Sequence, residues 1–353
     1  LDRGDEEDMR ELVEVGRNKA QWKRQEEIMK QGARSRVLVT GAGGFIGHHL
    51  VTYLKHQGHW VRGVDLKGPG YAQSDADEFE LLDLRRWDNC LRATRAIDEV
   101  YALAADMGGM GFISSHHAQI MHNNSLINIH SLEAARISGV RRYFYASSAC
   151  VYPDYKQRDT NGPALKEEDA YPAQPQDAYG WEKLLAERLC RHYREDHGIE
   201  TRVARLHNIL GPLGTWDGGR EKAPAALCRK IAVAKLTGHP TVEIWGDGEQ
   251  TRSFCYIDDA VTGIYKLMRS EYHEPLNLGQ DRLVTINQLA DIIACIAGVR
   301  IERKHVPGPM GVRGRTSDNT RLREVLGWEP EISLEEGLAR TYHWIEDQVR
   351  ARL

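Results

Sequence analysis

The sequence lacks any run of about 18 apolar residues, so no membrane span is expected. It also lacks an excess of either charge: 47 lysines and arginines stand against 51 aspartates and glutamates, for a net charge of −4. No strongly basic face asks for nucleic acid. The six cysteines, Cys90, Cys150, Cys190, Cys228, Cys255 and Cys295, include no C-x-x-C pair. Their scatter fits the reduced thiols of a cytoplasmic protein rather than a disulfide framework or a zinc site. His116, His117 and His122 cluster without the spacing of a metal motif, so no metal is expected. The first residues are charged, not apolar, and no secretory leader is expected in them, although Leu1 is not an initiator methionine. Internal repeats and low-complexity stretches are absent as well.

What remains is an ordinary composition on 353 residues, enough for two closely joined lobes with a large core. Residues 1–33 mix both charge signs with few apolar residues and read as a charged extension, a solvated helix or arm. From Arg36 the pattern changes. Short apolar runs at Val37–Val39, Trp60–Val64, Phe79–Leu82, Glu99–Leu103, Arg142–Ala146 and Thr201–Arg205 read as strands. Helical stretches, notably 117–137 and 179–196, separate most of them, so the alternation predicts an α/β fold with a doubly wound parallel sheet. After about residue 207 the rhythm loosens into Gly/Pro-rich loops. The expected division is a nucleotide-binding domain over 34–206, with a later segment near 242–262 returning to it, and a smaller C-terminal α/β substrate lobe over 207–353.

The first strand runs into Gly41-Ala42-Gly43-Gly44-Phe45-Ile46-Gly47, a G-x-x-G-x-x-G loop that opens a predicted helix carrying Ile46, Leu50 and Leu54. Gly41, Gly44 and Gly47 serve a tight turn, close approach to a pyrophosphate and close helix–strand packing, and the helix N-terminus offers free N–H groups to phosphate. Asp65 closes the second strand about 20 residues later, where a carboxylate binds ribose hydroxyls and repels a 2′-phosphate. The pattern points to a Rossmann-type site for NAD rather than NADP. Asp83, after the third strand, reads either as a contact to the adenine end or as a helix N-cap.

Tyr179 and Lys183 are four residues apart, on one helix face. A lysine ammonium beside a phenol, next to a nicotinamide, stabilises phenolate and lowers the tyrosine pKa, so Tyr179 can take a hydroxyl proton as a carbinol carbon is oxidised. Ser148, ending the strand Arg142–Ala146, is placed to bond the reacting oxygen.

With these motifs the chain resembles the extended short-chain dehydrogenase/reductase family of nucleotide-sugar enzymes over about residues 36–350. Later signs are His207-Asn208-Ile209-Leu210-Gly211-Pro212, Phe254-Cys255-Tyr256-Ile257-Asp258-Asp259 and Leu326-Gly327-Trp328-Glu329-Pro330. Within the family, several segments are similar to members that invert carbons 3 and 5 of GDP-mannose through a 4-keto sugar. They include Ala104–Ile113, Ala146–Cys150, Gly218–Ala226, Trp245–Ser253 and Gly311–Arg315. The resemblance implies bound NAD, a GDP-sugar substrate, and a homodimer paired through helices 117–137 and 179–196. It implies Phe45, Ile46 and Leu103 at the cofactor beside the glycines. It makes Cys150 the base and Lys222 the acid for the two inversions, beside Tyr179, Lys183 and Ser148. To the nucleotide sugar it assigns Gly108, Gly109, Ala149, Asn208, Glu221, Ala223, Lys230, Gln250, Thr251, Arg252 and Arg315.

The residues leave alternatives open. A free cysteine at a strand end is commonly a small core residue, Lys222 could bind phosphate, and Arg252 and Arg315 could be surface charge or an internal salt bridge. The dehydratases of this family place Asp-Glu where Ala149-Cys150 stands, so elimination is not expected. Another GDP-sugar, or a non-catalytic NAD-binding regulator, are the competing readings. The presence of both Tyr179 and Lys183 weighs against the regulator.

Overall fold

The computed structural model describes residues 34–353, and the charged extension expected over 1–33 lies outside the described residues. A seven-stranded parallel sheet is built from β1 (Arg36–Thr40), β2 (Trp60–Asp65), β3 (Glu78–Leu81), β4 (Glu99–Ala102), β5 (Arg142–Ser148), β6 (Glu200–Leu206) and β7 (Leu276–Leu278). Its order is β7-β6-β5-β4-β1-β2-β3, with the reversal of winding between β1 and β4. Such a switch point is where open α/β sheets take ligands.

Both faces of the central strands are covered, and alternate residues feed opposite cores. Val37 and Val39 of β1 and Phe144 of β5 pack with Leu50, Val51 and Leu54 of α1 (Phe45–His56) and with the helix Ile257–Arg269. Leu38, Tyr143 and Tyr145 face the other way. There they meet Cys90 and Ala93 of α2 (Trp87–Thr94), Leu132 and Ala135 of α3 (His117–Ile137), and Ala186 and Cys190 of α4 (Ala178–His197). Among the described residues no helix is long and apolar enough to cross a membrane.

The chain leaves the large sheet after β6 and returns to it at β7, which pairs in parallel with β6. The strand Thr241–Trp245 pairs instead with Glu302–Val306 in a separate parallel ladder. A third small sheet sets Thr251–Arg252 beside Gly314–Arg315, with Arg252 and Arg315 as direct register partners. That pairing carries two guanidiniums to one place.

Candidate active site

The glycine loop follows β1 and folds back on β2, the N–H of Gly41 donating to the Val64 carbonyl at 2.8 Å. Gly41 has a φ of +73°, and a Cβ at Gly47 would lie 2.1 Å from the Gly41 carbonyl oxygen, so α1 starts in direct contact with the turn. Gly44 caps α1 without a side-chain bond, leaving the first-turn N–H groups for a ligand. Asp65 accepts the Gly43 N–H at 3.0 Å and the Leu66 N–H at 2.6 Å, which fixes its carboxylate at the end of β2. Leu103 leaves β4 against Gly41, its N–H bonded to Thr40 Oγ1 at 3.2 Å. Phe45 and Ile46 are half-buried in the first turn of α1. This shape and donor set fit a dinucleotide.

Asp83 caps no helix: α2 begins at an Arg86 cap with no side-chain bond. Its carboxylate is forked by the Arg85 guanidinium at 2.7–3.1 Å, which holds its pKa below the usual carboxylate range. The N-cap alternative is therefore corrected: the carboxylate takes the Arg85 guanidinium and the Arg85 N–H at 3.0 Å, before the helix begins.

The relay lies where β5 ends against α4. Asp177 starts α4 by accepting the Gly180 N–H at 2.9 Å. A Cβ at Gly180 would lie 2.2 Å from the Cys150 carbonyl oxygen, so glycine here lets the relay helix press on the turn Ala149–Val151. Lys183 is buried, donates to the Ala146 carbonyl at 3.0 Å, and sits 5.4 Å from the centre of the Tyr179 ring. Burial raises the Tyr179 pKa well above the ordinary phenol value, Glu182 and Cys150 add to this, and a bond to Ser148 opposes it. The lowered tyrosine pKa expected from sequence is thus not a property of the protein alone. Desolvation dominates at Tyr179, and burial lowers the Lys183 pKa as well.

Across the cleft, Lys222 caps the helix Ala223–Thr237, which opens at Ala223 with Pro224 next. Its side chain keeps contact with solvent, yet the crowding walls lower its pKa. Cys150 is near enough to raise it in part, so the thiol and the ammonium belong to one site. The N–H of Gly109 donates to the Arg220 carbonyl at 3.0 Å, which ties the buried Gly108-Gly109 turn to the Lys222 loop. Arg315 donates to Cys150 Sγ at 3.3 Å and to Gln157 Oε1. Arg252 is spent on carbonyls only, those of Thr251, Met310 and Val312. Burial, with Arg315 and Arg313 adding repulsion, pulls the Arg252 pKa down to about 9, while Cys150 opposes the shift. Among the described residues neither Arg252 nor Arg315 has a carboxylate partner, so the internal salt bridge is not what holds them. Guanidinium forks without a carboxylate partner have the donor geometry that suits anions.

A model of the NAD dependent epimerase/dehydratase family matches residues 37–279. The chain belongs to that family. It is 52% identical over 316 residues to the GDP-mannose 3,5-epimerase of Arabidopsis thaliana, covering 89% of this chain and 83% of that one. It is 54% identical to the GDP-mannose 3,5-epimerase 1 of Oryza sativa subsp. indica, covering 89% and 82%. Among solved structures it resembles a Thermotoga maritima UDP-glucose 4-epimerase with UDP-glucose, at a TM-score of 0.80 and 27% identity over 89% of this chain and 99% of that one. It also resembles the Thermus thermophilus UDP-glucose 4-epimerase in complex with NAD, at 0.76 and 25% over 88% and 98%.

In this epimerase/dehydratase chain the other expected sugar-nucleotide residues divide by the freedom of their polar atoms. Gln250 donates to the Trp245 carbonyl at 3.3 Å, but its buried Oε1 has no protein partner. Thr251 donates to the Thr160 carbonyl at 2.6 Å, Asn208 to the Ser253 carbonyl at 2.9 Å and Lys230 to the Glu243 carbonyl at 2.7 Å. The Glu221 carboxylate is taken by Arg229 and by the Gly219 N–H, so it braces the Lys222 loop. Sequence reasoning missed the layer behind the relay. Asn124 and Asn128 of α3 each donate to the Glu182 carboxylate at 2.9 Å, and Gln157 orients Arg315. Two asparagines four residues apart on a helix face that packs inward were the available signal.

Proposed function

We propose that this protein inverts carbons 3 and 5 of GDP-D-mannose, giving GDP-L-galactose, and GDP-L-gulose when carbon 5 alone is inverted. The observation that carries the reading is that Cys150 lies close enough to act on the charge of both Lys222 and Tyr179, the latter also bonded to Ser148. The 52–54% identity to GDP-mannose 3,5-epimerases supports the same substrate.

NAD, when bound, supplies a reversible hydride acceptor for carbon 4. Gly41, Gly44, Phe45, Ile46, Gly47, Asp65 and Leu103 form its cradle. Asp83, forked by Arg85, is assigned to the adenine end. Tyr179 Oη takes the proton of the 4-hydroxyl and later returns it, while Ser148 fixes that oxygen and Lys183 supports the phenolate. The resulting 4-ketone acidifies the hydrogens on both neighbouring carbons. Cys150 Sγ removes the proton from one face, with the Arg315 guanidinium 3.3 Å from it. Lys222 Nζ delivers a proton to the opposite face, and a pKa lowered by its crowded cleft makes it a better acid. Gly108, Gly109 and Ala149 line the sugar. Arg252 and Arg315 take the diphosphate, and Asn208, Lys230, Gln250 and Thr251 line the nucleotide side. Glu221 and Ala223 frame Lys222.

The same reading places cofactor binding mainly in 34–206 and sugar-nucleotide binding mainly in 207–353. It makes the protein a homodimer, supported by Met121, Ile129 and Ile137 on α3 and Trp181 and Leu185 on α4, large apolar side chains left 37–53% exposed. Six free cysteines suit the cytoplasm. The test is incubation of the purified protein with GDP-mannose and identification of products by proton NMR. A mixture of the three sugar nucleotides is expected, and unchanged GDP-mannose would refute the reading.

A further inference from the structure

The middle of the Tyr179–Lys183 segment holds a carboxylate that the mechanism above does not use. Glu182 is fully buried, and its Oε1 lies 4.0 Å from Lys183 Nζ. Its two oxygens each accept an amide N–H at 2.9 Å, from Asn124 and from Asn128. Burial raises the Glu182 pKa, and Lys183 with the two donating asparagines opposes that shift in favour of the anion. Asn128 also donates to the Tyr145 hydroxyl at 3.2 Å, and the Tyr145 ring lies 4.8 Å below the lysine ammonium. Asn124 in turn accepts the Asp106 N–H at 2.6 Å, which joins this layer to the loop leading to Gly108 and Gly109.

We propose that Glu182 is a positioning residue of the relay: its buried carboxylate, fixed by Asn124 and Asn128, keeps Lys183 charged beside Tyr179. The inference rests on the reading of Tyr179 and Lys183 as that relay. The need is physical, because a lysine this deeply buried loses its proton readily unless an anion stands next to it. The titratable groups facing Lys183 are Glu182, Glu187 and Cys190 from α4 and Cys150 from the turn after β5, together with the Tyr145 and Tyr179 rings. Asp177 faces Glu182 from the start of the same helix. Glu187 is already paired with Arg205 at 2.8 Å and bonded by Ser147, so its charge is compensated. Cys150 carries charge only as thiolate. Glu182 is the carboxylate left to balance the lysine.

The experiment is the pH dependence of kcat for Glu182→Gln, which keeps side-chain size and can still bond both asparagines if the Asn128 amide turns over. Removing the anion makes Lys183 lose its proton at lower pH. The alkaline limb of kcat is therefore expected to move down by about one pH unit or more, with KM for the sugar nucleotide unchanged, and Glu182→Asp is expected to recover the wild-type limb. An alkaline limb for Glu182→Gln that coincides with wild type overturns the proposal, whatever its maximal rate. Should Glu182→Gln fail to fold, the ¹³Cε resonance of Lys183 in lysine-labelled wild type, assigned with Lys183→Arg, gives the answer. A charged amine at about pH 8 agrees with the proposal and a neutral one overturns it. Tyr179→Phe run in parallel separates the two claims. If that variant stays active, the relay reading fails. If it is inert while the Glu182→Gln limb is unshifted, only the role of Glu182 fails.

Discussion

At the scale of single residues, the site is a set of charges kept under tension by burial. Tyr179 and Lys183 are both pushed toward their neutral forms by desolvation, and Arg252 is crowded by two other guanidiniums. On the proposed reading, a bound diphosphate relieves Arg252 by bringing negative charge to it. Tyr179→Phe removes only a hydroxyl from a buried ring, so the fold should persist while turnover falls by about 10²–10⁴-fold. Circular dichroism alongside the rate checks both halves, and undiminished epimerisation would remove Tyr179 from the relay. The Tyr179–Lys183 pair and the glycine loop stood out in the sequence because each depends on a short local spacing, whereas the roles of Cys150 and Lys222 came from resemblance to the family. Glu182 did not stand out, because its partners Asn124 and Asn128 lie more than 50 residues upstream and only packing of α3 on α4 unites them. Asp83 was misjudged as a capping candidate because nothing in the spacing announces that Arg85 claims its carboxylate.

At the scale of elements, the sequence read well wherever a segment was long enough to show its period. The helix 117–137 has the expected ends, and the one expected over 179–196 runs Ala178–His197, with Asp177 capping it and Gly198 ending it at a φ of +72°. The six strands expected over the first 206 residues all lie in one parallel sheet. The strand β7 escaped notice because three residues carry no usable alternation, and Thr251–Arg252 and Gly314–Arg315 are shorter still. Those short strands set Arg252 beside Arg315, a neighbourhood that spacing in the sequence does not show. The contact of α1 with its turn gives a direct test. Gly47→Ala puts a methyl 2.1 Å from the Gly41 carbonyl oxygen, and neither backbone can yield cheaply. The variant should lose about 1–3 kcal/mol of stability and carry less NAD through purification. Denaturant melts and assay of acid-released dinucleotide measure the two effects. Full retention of NAD would show that α1 does not need this close approach.

At the scale of the whole molecule, buried polar groups at the edge of the large sheet make the fold sensitive to acid. His207 is fully buried at the end of β6, with Nε2 bonded to Asn277 Oδ1 at 2.9 Å and Nδ1 without a partner. Burial pushes its pKa down from 6.5 to about 3. The unfolded chain therefore binds this proton below about pH 6.5 while the folded chain refuses it until near pH 3, so stability is lost as pH falls through that window. His207→Gln should reduce the loss by up to about 1.4 kcal/mol per pH unit in urea titrations between pH 6 and 4. An unchanged slope would show that His207 is protonated in the folded state. The apolar side chains on α3 and α4 give an assembly test: sedimentation at micromolar concentration should show a dimer, and a monomer would leave that face unexplained. The central claim is that one thiol inverts two carbons of a GDP-sugar, and incubation of wild type and Cys150→Ala with GDP-mannose in deuterium oxide tests it most directly. Proton NMR of the recovered sugar should show deuterium at carbons 3 and 5 for wild type and at neither for Cys150→Ala. Exchange at the wild-type rate in Cys150→Ala would contradict the account and leave the cysteine a packing residue.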